Sequence, residues 1–113
     1  MKKAPLKNKD AGLSARIPDE TRKLVYRRDG WRCAMCDSTD GIQVHHAVPR
    51  SQGGSDFPEN LITLCWRCHA TAHGLRLQGM PPHIDKDWME QHIVEYLSDW
   101  TAENEDRPWY PFK

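Results

Sequence analysis

The chain has 113 residues, 38% of them hydrophobic and 28% charged, with sixteen Lys+Arg matched by sixteen Asp+Glu for a formal charge of zero. Mean hydropathy is −0.81. That size allows one small domain with a thin apolar core, which calls for a metal or disulfide staple, and no apolar run is long enough to span a bilayer.

Residues 1–16, rich in Lys, Asn and Ala around Pro5 and Gly12, read as a flexible basic arm. Lys2 and Lys3 lead to Pro5 and further lysines instead of an apolar stretch, so no secretory signal is expected and the reducing cytoplasm is predicted. Ile17-Pro18-Asp19-Glu20 opens a helix, with proline in the first turn and acids near the positive end. Ile17, Thr21, Leu24 and Val25 keep helical spacing until Asp29-Gly30 stops it. A Cys33-x-x-Cys36 knuckle follows, then Ile42-Gln43-Val44-His45, which alternates as a short strand. Pro49 to Pro58, with Gly53-Gly54, is loop by composition, and Leu61–Leu64 is a second strand.

The next helix begins at Cys65-x-x-Cys68 and ends near Gly74. After a break at Gln78–Pro82, Asp87-Trp88-Met89-Glu90 resembles a capping box, followed by an apolar stripe of Trp88, Ile93, Tyr96, Leu97 and Trp100. Such a stripe packs on a core by default and also offers a dimer face. The tail Arg107–Phe112 is irregular and aromatic, and Trp31 and Trp66 are expected to pack beside a metal site.

Charge is unevenly spread. Lys and Arg dominate residues 1–32, whereas Asp and Glu dominate from residue 85 onward, where only Lys86, Arg107 and Lys113 oppose them. If the chain meets a polyanion it does so with one face, through the arm and the segment Arg22–Arg32.

The four cysteines form two pairs, Cys33/Cys36 and Cys65/Cys68, each with the two-residue gap that lets both sulfurs face one ion. Two such pairs complete a closed tetrahedral zinc site and supply folding free energy that a thin core lacks. Disulfides are the alternative in an oxidising compartment. Cys65-Trp66-Arg67-Cys68-His69 also has the form of a c-type haem attachment motif. That chemistry needs export, and it would leave Cys33, Cys36 and the histidines without a role.

Of the six histidines, His69 and His73 are spaced i, i+4, so their rings share one helix face and can grip one ion. His45 and His46 are strand neighbours whose side chains diverge, so the economical assignment gives His45 to the metal and leaves His46 free. An unligated imidazole beside a metal is a natural general base for water, and open metal positions can take a phosphate oxygen. His69–His73 lacks the glutamate of a His-Glu-x-x-His protease, and the zinc deaminase motifs are broken at Ala47 and Leu64. His83 and His92 lie outside the pattern.

The string from His45 through Pro49-Arg50-Ser51-Gln52-Gly53-Gly54, followed by Asn60-Leu61-Ile62-Thr63-Leu64-Cys65 and Cys68-His69, resembles the HNH endonuclease family in its four-cysteine form. The likeness extends over residues 24–73. It implies an α+β fold: a small ββα-metal core, with hairpin and helix around one catalytic divalent ion, buttressed by the cysteine zinc and flanked by an N-terminal and a C-terminal helix. The implied organisation is the arm (1–16), a nuclease domain (17–84), and an acidic helix with its aromatic tail (85–113).

By the same resemblance the metal ligands fall on His45 and His69, the general base on His46, and the loop-bracing amide on Asn60. His73 matches a third ligand found in some branches, such as nuclease colicins. Many relatives carry Asp where this chain has His45. Imidazole favours Zn, Ni or Mn and carboxylate favours Mg, so all four metals are candidates. Arg50 suits a phosphate bidentately. The expected activity is metal-dependent hydrolysis of phosphodiesters in DNA, double-stranded by expectation, with no small-molecule cofactor and no membrane. The competing reading is a non-catalytic zinc module that binds nucleic acid or protein and has no need of His46.

Overall fold

A computed structural model describes residues 16–104; the rest of the basic arm and the aromatic tail Arg107–Phe112 lie outside the described residues. Within them the order is α1 (Asp19–Arg28), β1 (Gln43–His46), β2 (Leu61–Leu64), α2 (Trp66–Ala72) and α3 (Lys86–Asn104), with 3-10 turns at Arg50–Gln52 and Pro58–Asn60. None of these helices is long and apolar enough to cross a membrane.

α1 starts one residue later than the proline-in-first-turn reading: Pro18 is the cap itself, and its carbonyl accepts the Arg22 N–H at 3.0 Å. Acids in the first turn and arginines in the last complement the helix dipole. The helix ends as Gly30 takes φ +77°, which lets the Trp31 N–H reach back to the Tyr26 carbonyl at 2.9 Å. Trp31 stacks on Tyr26 and remains 52% exposed. Trp66 is 43% exposed, with the Arg67 guanidinium 4.9 Å from its ring centroid. Both indoles are therefore partly open to solvent.

Arg28 and Asp29, read from sequence as part of a basic face and a helix stop, form a buried ionic node. Asp29 accepts Arg28 Nε at 2.7 Å, the Thr63 N–H at 2.8 Å and the Tyr96 hydroxyl at 2.6 Å, and its side chain is fully buried. Arg28 also donates to the carbonyls of Pro58 and Leu61, with its guanidinium over the rings of Tyr96 and Trp100. One pair thus ties α1 to β2 and α3, and desolvation is offset because every charge has several partners. Arg28 is consequently unavailable to a polyanion.

β1 and β2 form a two-stranded antiparallel sheet with His45 opposite Ile62 and His46 opposite Leu61. β2 is buried along its whole length. The core gathers Ile62 and Leu64 from β2, Met89, Ile93 and Leu97 from α3, and the side chains of Cys33, Cys65 and Cys68. The α3 stripe is used inside the chain: Met89, which the periodic reading omitted, is 1% exposed, while Trp88 and Tyr96 pack at its margin. The α3 cap is also shifted by two residues. Asp85, not Asp87, accepts the Trp88 N–H at 2.9 Å.

The long connection between the strands has to fold back tightly. Gly54 makes this possible, because a Cβ there would lie 1.7 Å from the Val48 carbonyl oxygen. Gly54→Ala is expected to displace this loop and cost about 3 kcal/mol. Gly53→Ala, at φ +88° with open space around it, should cost about 1 kcal/mol. Thermal unfolding of the two variants checks the difference.

Candidate functional site

Two ligand clusters stand out among the described residues, Cys33/Cys36/Cys65/Cys68 and His45/His69/His73; within each, the candidate ligand atoms lie within 4.8 Å of one another. The cysteine cluster joins the loop after α1 to the start of α2, where Cys65 caps the helix by accepting the Cys68 N–H at 3.5 Å. Cys36 Sγ and Cys65 Sγ are 3.6 Å apart, and none of the four is in a disulfide. Tetrahedral zinc–thiolate coordination requires sulfurs about 3.8 Å apart, so the spacing fits a metal.

The electrostatics fit as well. The Cys68 thiol hydrogen-bonds to Cys33, holding it down at about 4, while burial and the neighbouring sulfurs push Cys36 up to about 11. Cys68 is raised too, first by Cys33 and then by burial. Four sulfurs this close cannot all ionise without a cation to balance them.

The histidine cluster is built by β1 and α2. His45 projects from β1 onto the His69/His73 face, with ring centroids 5.2 Å from each and interplanar angles of 83° and 82°. α2 ends at Ala72, yet the His73 ring at the cap still reaches His69, Nε2 to Nε2 at 3.2 Å. Burial depresses His45 to about 4, with the neighbouring imidazoles adding to the effect, and burial lowers His69 likewise. Both shifts favour the neutral form of His45 and His69, the form that ligates metal.

His46 is not part of that triad but lines the same cleft, a volume of about 520 Å³ that also receives Arg50, Gln52, Lys86 and Glu90. Its Nε2 lies 2.8 Å from Asp56 Oδ1. Arg50 clamps the same carboxylate, Nε to Oδ1 at 2.9 Å and Nη2 to Oδ2 at 2.7 Å. Burial works against the Asp56 charge, but the Arg50 and His46 hydrogen bonds outweigh it and hold the carboxyl below its ordinary value. An ionised carboxylate only accepts, so the proton of a neutral His46 sits on Nε2 and the lone pair on Nδ1.

Asn60 accepts the Val48 N–H at 2.8 Å and donates to the carbonyls of Val48 at 3.0 Å and Ser55 at 2.8 Å. It ties the start of the loop to the stretch just before Asp56. Sequence reading missed Asp56, Lys86 and Glu90. For Asp56 the available signal was an acid two residues after Gly54 of the tight turn, in a loop obliged to return to the end of β1.

The profile that matches residues 33–74 is described as HNH endonuclease, and that span contains both clusters, His46, Asp56 and Asn60. Over 35 residues the chain is 51% identical to the probable mobile endonuclease C of Enterobacteria phage T4, covering 31% of this chain and 17% of that protein. Over 37 residues it is 40% identical to the type IV methyl-directed restriction enzyme EcoKMcrA of Escherichia coli, covering 33% of this chain and 13% of the enzyme. The chain belongs to the HNH endonuclease family.

A third relative, anaredoxin of Nostoc, is 33% identical over 55 residues, covering 48% of this chain and 72% of that protein. The chain thus spans a small part of the two nuclease relatives and most of the third. No solved structure gives a significant match. The HNH core is the α+β arrangement expected, a two-stranded sheet and α2 beside a four-cysteine cluster.

Proposed function

We propose that this HNH protein is a metal-dependent endonuclease that hydrolyses phosphodiester bonds in double-stranded DNA. The observation that carries the reading is His46 in one cleft with the three-histidine cluster, kept out of that cluster and hydrogen-bonded to Asp56 at 2.8 Å. A purely structural zinc module has no use for that arrangement.

In this reading His45, His69 and His73 hold a divalent ion (Mg, Mn, Ni or Zn), and the four cysteines hold a structural zinc. The catalytic ion, when bound, supplies Lewis-acid stabilisation of the charge that grows on the leaving oxygen. His46 takes the proton of the attacking water at Nδ1, and Asp56 keeps the imidazole in that tautomer and stabilises the imidazolium that forms. Arg50 holds Asp56 in place with Nε and Nη2 and offers Nη1 to the substrate phosphate. Asn60 acts through the backbone, keeping the loop that carries Arg50 and Asp56 against the end of β1. The exposed basic residues of α1, Lys23 and Arg27, hold the DNA backbone together with the N-terminal arm.

The test is a plasmid-cleavage assay with each of the four metals, with and without chelator. Supercoiled DNA is expected to be nicked or linearised in at least one metal and left intact under chelation. Binding without cleavage in every metal would replace the enzyme by the binding module.

A further inference from the structure

One wall of the cleft comes from α3, outside the segment shared with the family profile. Lys86, Glu90 and Ile93 line it at i, i+4 and i+7, one face of the helix. Ile93 is 2% exposed and fixed in the core, so the lysine above it is carried on a rigid support. Lys86 is the sole lysine or arginine of this otherwise acidic helix. Its stem passes Gly74, next to His73, where a Cβ would come within 3.8 Å of Lys86 Cδ.

No described residue forms an ion pair with Lys86. Asp85 faces Arg76 at 4.0 Å, and Glu90 lines the cleft one turn further along the helix. The contrast with Arg50, which commits two nitrogens to Asp56, leaves Lys86 as the cleft's uncommitted cation.

We infer that Lys86 is a substrate-binding residue, gripping a phosphate of the nucleic-acid backbone on the α3 side of the histidine cleft. This rests on the nuclease reading. It adds a contact from a helix outside the residues that the family profile matches, on another wall of the cleft. An ammonium on a flexible stem meets a phosphate as a point charge, so the contact holds register without reading sequence. Glu90, one turn along the same helix, repels a phosphate and so confines the contact to the Lys86 end of this wall.

The experiment measures binding of a DNA duplex to the full chain by fluorescence anisotropy, in a His46→Ala background to suppress cleavage, across a salt series. Lys86→Ala is expected to weaken binding about three- to tenfold at low salt and to reduce the salt slope by about 0.9, while Lys86→Arg restores both. In the His46-containing protein, Lys86→Ala should raise KM with kcat nearly unchanged. Equal affinity and equal slope for Lys86→Ala and its parent overturn the inference, whatever the cleavage result. A wild-type protein that binds with the Lys86-dependent slope but cleaves in no metal keeps the phosphate contact and sinks the nuclease reading instead. Absence of measurable binding in any form overturns both.

Discussion

Replacing His46 by alanine is expected to lower DNA cleavage by about 10²–10⁴-fold, the usual worth of a general base, while the protein keeps its fold and its metals. The fold should survive because His46 is half-buried at the end of β1 and its side-chain partner, Asp56, lies in the same loop region rather than in the core. Asp56→Asn tests the other half of the pair. The amide can still meet His46 but can donate as well as accept, so it no longer dictates the Nε2–H tautomer, and it cannot stabilise an imidazolium by charge. A loss of kcat of about 10–10³-fold with little change in KM is expected, and Asp56→Glu should recover part of it. The ¹⁵N shifts of the His46 ring provide a readout that a merely structural role would leave alone: Nε2 should be protonated in the parent and should lose that preference in Asp56→Asn. Unaltered cleavage by His46→Ala would remove the mechanism altogether.

Stripping metal from the cysteine cluster is expected to unfold the protein. The sulfurs of Cys33, Cys65 and Cys68 belong to the same buried cluster as Ile62, Leu64, Met89, Ile93 and Leu97. A structural zinc site contributes about 10–16 kcal/mol of apparent binding free energy at neutral pH, more than the whole net stability of most small domains. Without a cation the four sulfurs must protonate or repel one another, as the opposite displacements of Cys33 and Cys36 illustrate. Cys68→Ser, or a strong chelator, should therefore abolish the cooperative thermal transition, and metal analysis of the parent should return a tightly held zinc. His69→Ala, on a half-buried ring, should leave that transition and the cysteine-bound zinc in place while abolishing cleavage. A metal-free protein with an unchanged melting temperature would show that the apolar core suffices alone. The two substitutions together separate the metal that folds the chain from the metal that serves the chemistry.

Several elements were legible because their cause is local. Leu61–Leu64 is an apolar, β-rich run bounded by Asn60 and Cys65, and it forms β2 within those bounds. His69 and His73 meet because one helical turn separates them, and the paired cysteines meet because two intervening residues allow it. The Asp85 cap shows how local signals mislead by small steps, since two aspartates two residues apart both suit a helix start and packing of Met89 and Ile93 selects the register. Arg28 and Asp29 mislead in kind. Nothing in a run of basic residues says that one of them will turn inward, because its partners (the carbonyls of Pro58 and Leu61, and the rings of Tyr96 and Trp100) are distant in the chain.

By itself the order of residues determined the ligand chemistry: which sulfurs and imidazoles can serve an ion, and that a second histidine beside His45 would be turned away from it. Those are consequences of fixed helix and strand periods, which any fold must obey. Only the tertiary structure decided who stands next to His46. The tight turn at Gly54 and the Asn60 brace fold the loop back so that Asp56 reaches the imidazole, and the core anchors α3 so that Lys86 borders the cleft. These are contacts between segments far apart in the chain, set by packing and by the need to satisfy buried polar groups, and such needs leave no period in a sequence to read.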